Sequence, residues 1–287
     1  MSHPKFALVW LVALAASLIA APLVASAPVA AVGNGTLDTS HAYAGALIIY
    51  NPDVVFPFTG LNYAWCSGWL ASSRIFVTAG HCADYIQSTP IPMEHLWVSF
   101  ALNILADRSS WRSVASAFLQ PDFSIFVDAK GITYLHSNGS DLGVVMLTQP
   151  ESDITPGRFA PLGFLDSLAA SGGLQHAKIT MVGYGGESIS PKGQILTTGD
   201  RRTTNVTFKG PLYLNWLGWT TITPSDGTLI IGDSGGPALL TLDGTEYVVA
   251  IHSNGVPSFF FDGPGYDFRM DTAISQNFVL ALVASAG

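Results

Sequence analysis

Gly232-Asp233-Ser234-Gly235-Gly236-Pro237 lies between an apolar run, Leu229-Ile230-Ile231, and a strand-like run, Ala238-Leu239-Leu240. Three glycines in these six residues mark a tight turn, where the backbone takes dihedrals that side chains oppose or comes close to another segment. A serine in such a turn stands clear of its neighbours. The N–H groups around it can converge on one point, the arrangement that stabilises an oxyanion. The plain alternative is a glycine-rich hairpin turn without chemistry. The same residues also fit G-x-S-x-G, the nucleophile elbow of α/β-hydrolases, and chain order separates the two enzymatic readings. An elbow needs an acid and then a histidine after its serine. His252 is the sole histidine after Ser234 and follows too soon to leave room for the elements between.

Upstream lie Thr78-Ala79-Gly80-His81-Cys82 and Asp141-Leu142-Gly143-Val144-Val145-Met146-Leu147. Serine is a weak nucleophile at neutral pH and needs an adjacent base, itself held by a third group. The order His, Asp, Ser is that of the chymotrypsin arrangement. Taken in this order, the three motifs resemble the trypsin/chymotrypsin family of serine endopeptidases, and the resemblance runs from about Val32 to the C-terminus. It implies an all-β fold of two six-stranded antiparallel β-barrels with the active site between them. His81 and Asp141 would come from the first barrel and Ser234 from the second. His81 would be the general base, Asp141 its orienting acid and Ser234 the nucleophile, with the N–H groups of Gly232 and Ser234 as the oxyanion hole. Asp122, Asp128 and Asp153 are rival acids, but only Asp141 leads directly into a short apolar strand.

The resemblance also places a substrate pocket. Thr228 falls at its base, where trypsin-like enzymes carry an aspartate; Thr228 is neutral and Asp226 is displaced by two residues, so basic specificity is disfavoured. Ser253-Asn254-Gly255 would form one wall, and Gly255 and Gly265, without side chains, would leave the pocket open. Ile251-His252-Ser253-Asn254-Gly255 is similar to the segment of glutamyl endopeptidases whose histidine contacts the substrate's glutamate. A histidine and a hydroxyl facing one pocket could bind a carboxylate. The alternative is that His252 turns into the core and the pocket takes apolar or aromatic side chains. In the family, a new N-terminus near Val32 would pair with Asp233. Here no Arg or Lys occurs from residue 6 to residue 73, so nothing directs a trypsin-type cut there. Either signal removal and trimming expose the terminus or Asp233 takes another partner.

Composition fits this reading. Charged residues are only 11% of the 287, against 29 glycines and 17 prolines, which suits a β-rich, loop-rich chain better than a helical one. The formal net charge of −8 and the lack of any Lys/Arg block exclude nucleic acid as an expected partner. Lys5, the apolar run Phe6 to Ala21 and Ala25-Ser26-Ala27 read as a secretory signal peptide. Pro28 hinders a cut after Ala27, so the cut stays open between Ala21 and Ala31. A retained anchor is the rival reading, though the run is short of the ~20 residues that span a bilayer. The expected layout is a signal peptide at 1–27, an N-terminal segment at 28–41, a first barrel at 42–150, a crossing at 151–178, and a second barrel with a C-terminal helix at 179–287.

In an exported chain the pair Cys66 and Cys82 is expected to be a disulfide, with two buried thiols as the alternative. A metal site there would occupy the catalytic base, so neither metal nor cofactor is expected. Asn34, Asn138 and Asn205 head N-glycosylation patterns that chance explains better. The expected protein is a secreted, monomeric endopeptidase acting on polypeptides, with no membrane contact after signal removal. An inactive homologue that only binds, and an esterase or transferase using the same triad, are the competing classes.

Overall fold

The computed structural model describes residues 32, 35–56, 59–89, 91–106, 108–127, 133–135, 139–186, 188–189, 194–214, 216–219, 229–255 and 265–286. The stretch expected to be a signal peptide, Asn34, Asn138, Asp128 and Thr228 lie outside these residues. The elements run as β1 (Thr36–Leu37), β2 (Ala44–Tyr50), β3 (Tyr63–Leu70), β4 (Ile75–Thr78), α1 (Gly80–Ser88), β5 (Leu96–Ser99), β6 (Trp111–Leu119), β7 (Ile125–Val127), β8 (Thr133–Leu135) and β9 (Gly143–Leu147). There follow α2 (Phe164–Ala170), β10 (Lys178–Gly183), β11 (Ser188–Ile189), β12 (Ile195–Leu196), β13 (Arg202–Thr207), β14 (Trp216–Trp219), β15 (Pro237–Leu242), β16 (Thr245–Gly255), β17 (Gly265–Arg269) and α3 (Ala273–Ala286).

Strands β2-β3-β4-β9-β6-β5 close into an antiparallel barrel. Period-two alternation sorts each strand's side chains between two environments. Leu47 and Ile49 of β2 pack with Phe76, Leu96, Val98, Val145 and Leu147, whereas Ala46 and Ile48 meet Trp65, Ile104, Trp111 and Tyr184. On β4, Phe76 joins the first of these cores. Ile75 and Val77 turn the other way, onto Val182, Leu239, Ile251 and Phe268 of the second half. A strand covered on both faces has no polar face, which is why Ile75-Phe76-Val77 reads as an unbroken apolar run.

The second half carries the six antiparallel strands expected of it, with a seventh added at the edge. Its described residues form a seven-stranded antiparallel sheet in the order β1-β13-β10-β15-β16-β17-β14. The seventh strand is β1, which comes from the N-terminal segment and pairs at the edge, Thr36 opposite Thr203. Val32, just before it, is fully buried among Met181, Val206 and Leu240. The C-terminal helix is present, and its Phe278, Val279, Leu282 and Val283 cover the core shared by the two halves. Two helices were not anticipated. α1 is too short for a clear period, yet it buries Cys82, Ala83 and Ile86 on one face. α2 lies in the crossing, its Phe164 and Leu165 buried in the second half's core.

Candidate active site

His81 sits in the first turn of α1, directly after β4, and Asp141 directly precedes β9. The two strands pair, Thr78 opposite Gly143, so the ladder itself brings histidine and acid together. Asp141 is 1% exposed. Its carboxylate accepts the His81 backbone N–H at 2.7 Å and lies 3.0 and 3.2 Å from the ring Nδ1. A carboxylate only accepts, so Nδ1 carries the proton and Nε2 is left with its lone pair. Burial alone would lower the pKa of His81, but the Asp141 charge and hydrogen bond outweigh it and raise the value. Asp141 shifts the opposite way. Burial opposes its charge, yet His81 and the hydrogen bonds from His81 and Ser253 hold it below the usual carboxylate range.

Ser234 is carried on a loop that needs its glycines. Gly232 and Gly235 have φ of +103° and +86°, and a Cβ on Gly235 would lie 2.4 Å from Thr78 Oγ1 and 2.5 Å from Ala79 N. The loop therefore rests on the turn that leads into His81. Ser67 of β3 fixes it there: its N–H donates to the Ser234 carbonyl at 2.8 Å, and its hydroxyl donates to the Gly232 carbonyl at 2.8 Å while accepting from Tyr184 N–H at 2.9 Å. The N–H of Asp233 is bonded to Ile230 and that of Gly235 to His252, at 3.0 and 2.7 Å. Among the described residues, the N–H groups of Gly232 and Ser234 make no hydrogen bond. These are the two groups that the sequence assigned to the oxyanion. Nor, among the described residues, is there a hydrogen bond between Ser234 Oγ and the His81 ring.

Asp233 is fully buried. It accepts from Gly185 N–H at 2.7 Å and Ile230 N–H at 2.9 Å, and from the backbone N–H of Val32. Among the described residues it has no ion-pair partner within 4.0 Å. Burial pushes its pKa up to about 6, against the pull of these N–H groups and of the nearby His252.

The pocket residues are distributed differently from expectation. The Ser253 hydroxyl does not share a pocket with His252: it sits at the irregularity in β16 between His252 and Asn254 and donates to Asp141 Oδ2. It supports the acid instead. Gly255 pairs with Gly265, and Asn254 with Tyr266, across β16 and β17. Of the sequence-predicted residues, Thr228 lies outside the described ones. His252 and Asp267 face each other across the same strand pair, Nδ1 3.2 Å from Oδ2, both essentially without solvent exposure. Ser67 and Asp267 were missed, because their partners lie far away in the chain.

Cys66 and Cys82 form a disulfide, with Cα atoms 6.4 Å apart, that ties β3 to α1 beside His81. The two sulfurs and a His81 ring nitrogen lie within 4.8 Å of one another. A bridged pair offers no thiolate, so this group is not suited to a metal.

The closed six-stranded barrel, the second antiparallel sheet and the C-terminal helix make this a chymotrypsin-like fold. A solved structure that shares it is the scabies mite inactivated protease paralogue S-I1, with a TM-score of 0.57 and 15% identity, over 88% of this chain and 99% of that one. At that identity the likeness is one of fold. No protein-family model matches the sequence, and no curated protein does.

Proposed function

We propose that the protein is a secreted serine endopeptidase working through Ser234, His81 and Asp141. The observation that carries this reading is the nucleophile loop. It is docked on the turn before His81, with the N–H groups of Gly232 and Ser234 uncommitted, while Asp141 holds the ring by Nδ1 and leaves Nε2 bare. In the reaction, His81 Nε2 takes the Ser234 proton as Oγ attacks the substrate carbonyl carbon. The oxyanion receives the two free N–H groups, each worth about 2.7–4 kcal/mol of transition-state stabilisation in comparable sites. The leaving amine takes the proton back from His81, and water then releases the acyl group by the same route. Asp141, held by Ser253, stabilises the charged imidazole. No cofactor or metal enters these steps.

The disulfide and the fold agree with an extracellular protein, as does the signal-like N-terminus. The substrate side chain before the cut is acidic, or else apolar or aromatic; basic residues are disfavoured. A second reading has one observation behind it: the scabies mite structure is of an inactivated paralogue, so this fold also serves without catalysis. In this chain all three triad residues stand at their motif positions. A fluorophosphonate probe, followed by casein and ester substrates, tests the choice. Labelling at Ser234 with casein cleavage, both lost in Ser234→Ala, is the expected result. Absence of labelling supports the inactive reading, and turnover of esters alone the esterase.

A further inference from the structure

Ser67, Trp65 and Tyr63 alternate on one face of β3. Ser67 binds the loop that carries Ser234, by its N–H and its hydroxyl at 2.8 Å each. Trp65 packs against the same loop: a Cβ on Gly232 would lie 2.8 Å from its Nε1. Tyr63, at the far end, packs with Tyr50, opposite it on β2, and with Trp111 of β6, ring centroids 5.7 and 6.1 Å away. Arg108, exposed in the short turn before β6, lays its guanidinium over these three rings. Its central carbon is 4.3 Å from the Tyr50 centroid and 5.5 Å from those of Tyr63 and Trp111. Among the described residues Arg108 makes no ion pair. In a chain of net charge −8, this is an uncompensated cation on an aromatic floor. Stacking fixes the guanidinium before any partner arrives, so less freedom is lost on binding. Arg, Tyr and Trp are also the side chains that most often carry the energy of an interface. The loop from Tyr50 to Tyr63 adds exposed Val54, Val55 and Leu61. Its acid, Asp53, is exposed and not paired with Arg108.

We propose that Arg108, on its floor of Tyr50, Tyr63 and Trp111, binds an acidic side chain of the polypeptide substrate about four residues after the scissile bond. This rests on the endopeptidase reading above and adds what that reading leaves open, the half of the substrate that departs as the amine. In that reading the half before the cut lies along β16, which holds the nucleophile loop from one side through Gly235 N–H and the His252 carbonyl at 2.7 Å. β3 holds the loop from the other side, so the departing half runs along β3. From Ser67 to Tyr63 is about 13 Å at a strand rise of ~3.3 Å per residue, and an extended peptide covers it in about four residues. There the guanidinium meets a carboxylate through charge-assisted hydrogen bonds. The exposed valines and leucine beside the stack favour an apolar neighbour next to the acid.

The test is a set of peptides that share one sequence through the cut and carry Glu, Gln or Lys at the third, fourth or fifth position after it. One further peptide stops two residues after the cut. Wild type should cleave the best Glu peptide about three- to tenfold better in kcat/KM than its Gln partner, the range of an exposed charge-assisted pair, and through KM more than kcat. The shortened peptide should match the Gln peptide. Arg108→Gln should bring the Glu peptide down to the Gln level, so that the changes in enzyme and substrate do not add. Arg108→Lys keeps the charge but loses the planar stack, and should keep only part of the preference. Raising salt from about 0.05 M to about 1 M should shrink the wild-type ratio towards one. Equal cleavage of Glu and Gln at all three positions, a preference for Lys, or a Glu preference that survives Arg108→Gln overturns the proposal. If that variant does not fold, Arg108→Lys decides, and an undiminished ratio overturns it. Failure of Ser234 to label with fluorophosphonate, together with no cleavage of any peptide, marks the endopeptidase reading as wrong and this proposal with it. Labelling and cleavage without the Glu preference mark only the surface as misassigned.

Discussion

Ser67 does the least visible work at the site. Buried at 1% exposure, it grips the carbonyls of Gly232 and Ser234 and so anchors the loop that carries Ser234 to β3. Ser67→Ala removes the hydroxyl but keeps the backbone bond, so the Gly232 peptide loses its tether to β3. We expect kcat to fall roughly tenfold or more with KM little changed, since small misplacements of a catalytic group cost rates of that order. A KM effect at full kcat would show that the tether serves binding. The His81–Asp141 pair gives a second residue-scale expectation. Only neutral His81 can act as base, and Asp141 raises its pKa above the ordinary imidazole value. Activity should therefore be lost as pH falls, along a limb whose midpoint lies above that of a free imidazole. Asp141→Asn should lower turnover severely and move the limb to lower pH. A rate flat from pH 8 to pH 5 would count against His81.

At the scale of elements, the N-terminal segment joins the loop that carries Ser234. β1 adds to the edge of β13, and this draws Val32 into the core beside Asp233. The buried Asp233 carboxyl, with a pKa near 6, has backbone N–H donors but no cation within ion-pair distance among the described residues. An α-ammonium on Val32 would supply one. The sequence before it, Val29-Ala30-Ala31, offers small residues for an export cut and no basic residue for any other. We expect the mature protein to begin at Val32, and a form retaining Ala31 to be distinctly less active. N-terminal sequencing of the secreted protein, with turnover of both forms, checks this; equal turnover would show that Asp233 needs no terminus. The disulfide acts at the same scale. It closes a loop of 16 residues between β3 and α1, worth about 3 kcal/mol in the chain-entropy model.

Across the whole molecule, the two halves are stapled by a polar cluster. His41 lies 2.9 Å from Asp38 and 3.1 Å from Glu246, and Tyr43 donates to Glu246 at 2.8 Å. Arg201 reaches back into the first half, donating to the carbonyls of Ala44 and Phe100 at 3.2 and 3.0 Å. Burial would lower the pKa of His41, but its two carboxylate partners raise it to about 9. The raised value means that the folded state holds the proton more tightly than the unfolded state, whose imidazole has a pKa of about 6.5. The stability from this staple is thus complete below about pH 6.5 and lost as pH rises through about 9. His41→Gln should destabilise the protein by roughly 1–3 kcal/mol at pH 6 and by much less at pH 10. Denaturant unfolding at the two pH values measures this; an equal cost at both would mean that the charge of His41 contributes nothing.

The local signals in the sequence were enough for several strands of the first barrel, the glycine-rich turn at Ser234 and the C-terminal helix, whereas barrel strand β6 lies in a stretch whose pattern did not declare it. Strands such as Ile75–Val77 declare themselves by apolar runs, and Gly232 and Gly235 by the positive φ that other residues resist. The order of His81, Asp141 and Ser234 could be read for the same reason: each lies in, or next to, an element with its own pattern. What the sequence left open is set by contacts between distant segments. Ser253 lies 112 residues from the carboxylate it binds, and Ser67 lies 165 from the Gly232 carbonyl. A hydroxyl has no periodicity that names its partner. The edge position of β1, the approach of Val32 to Asp233 and the opposition of Asp267 to His252 likewise depend on sheet register. Register is decided when apolar faces of remote strands pack together, and only the folded chain fixes it.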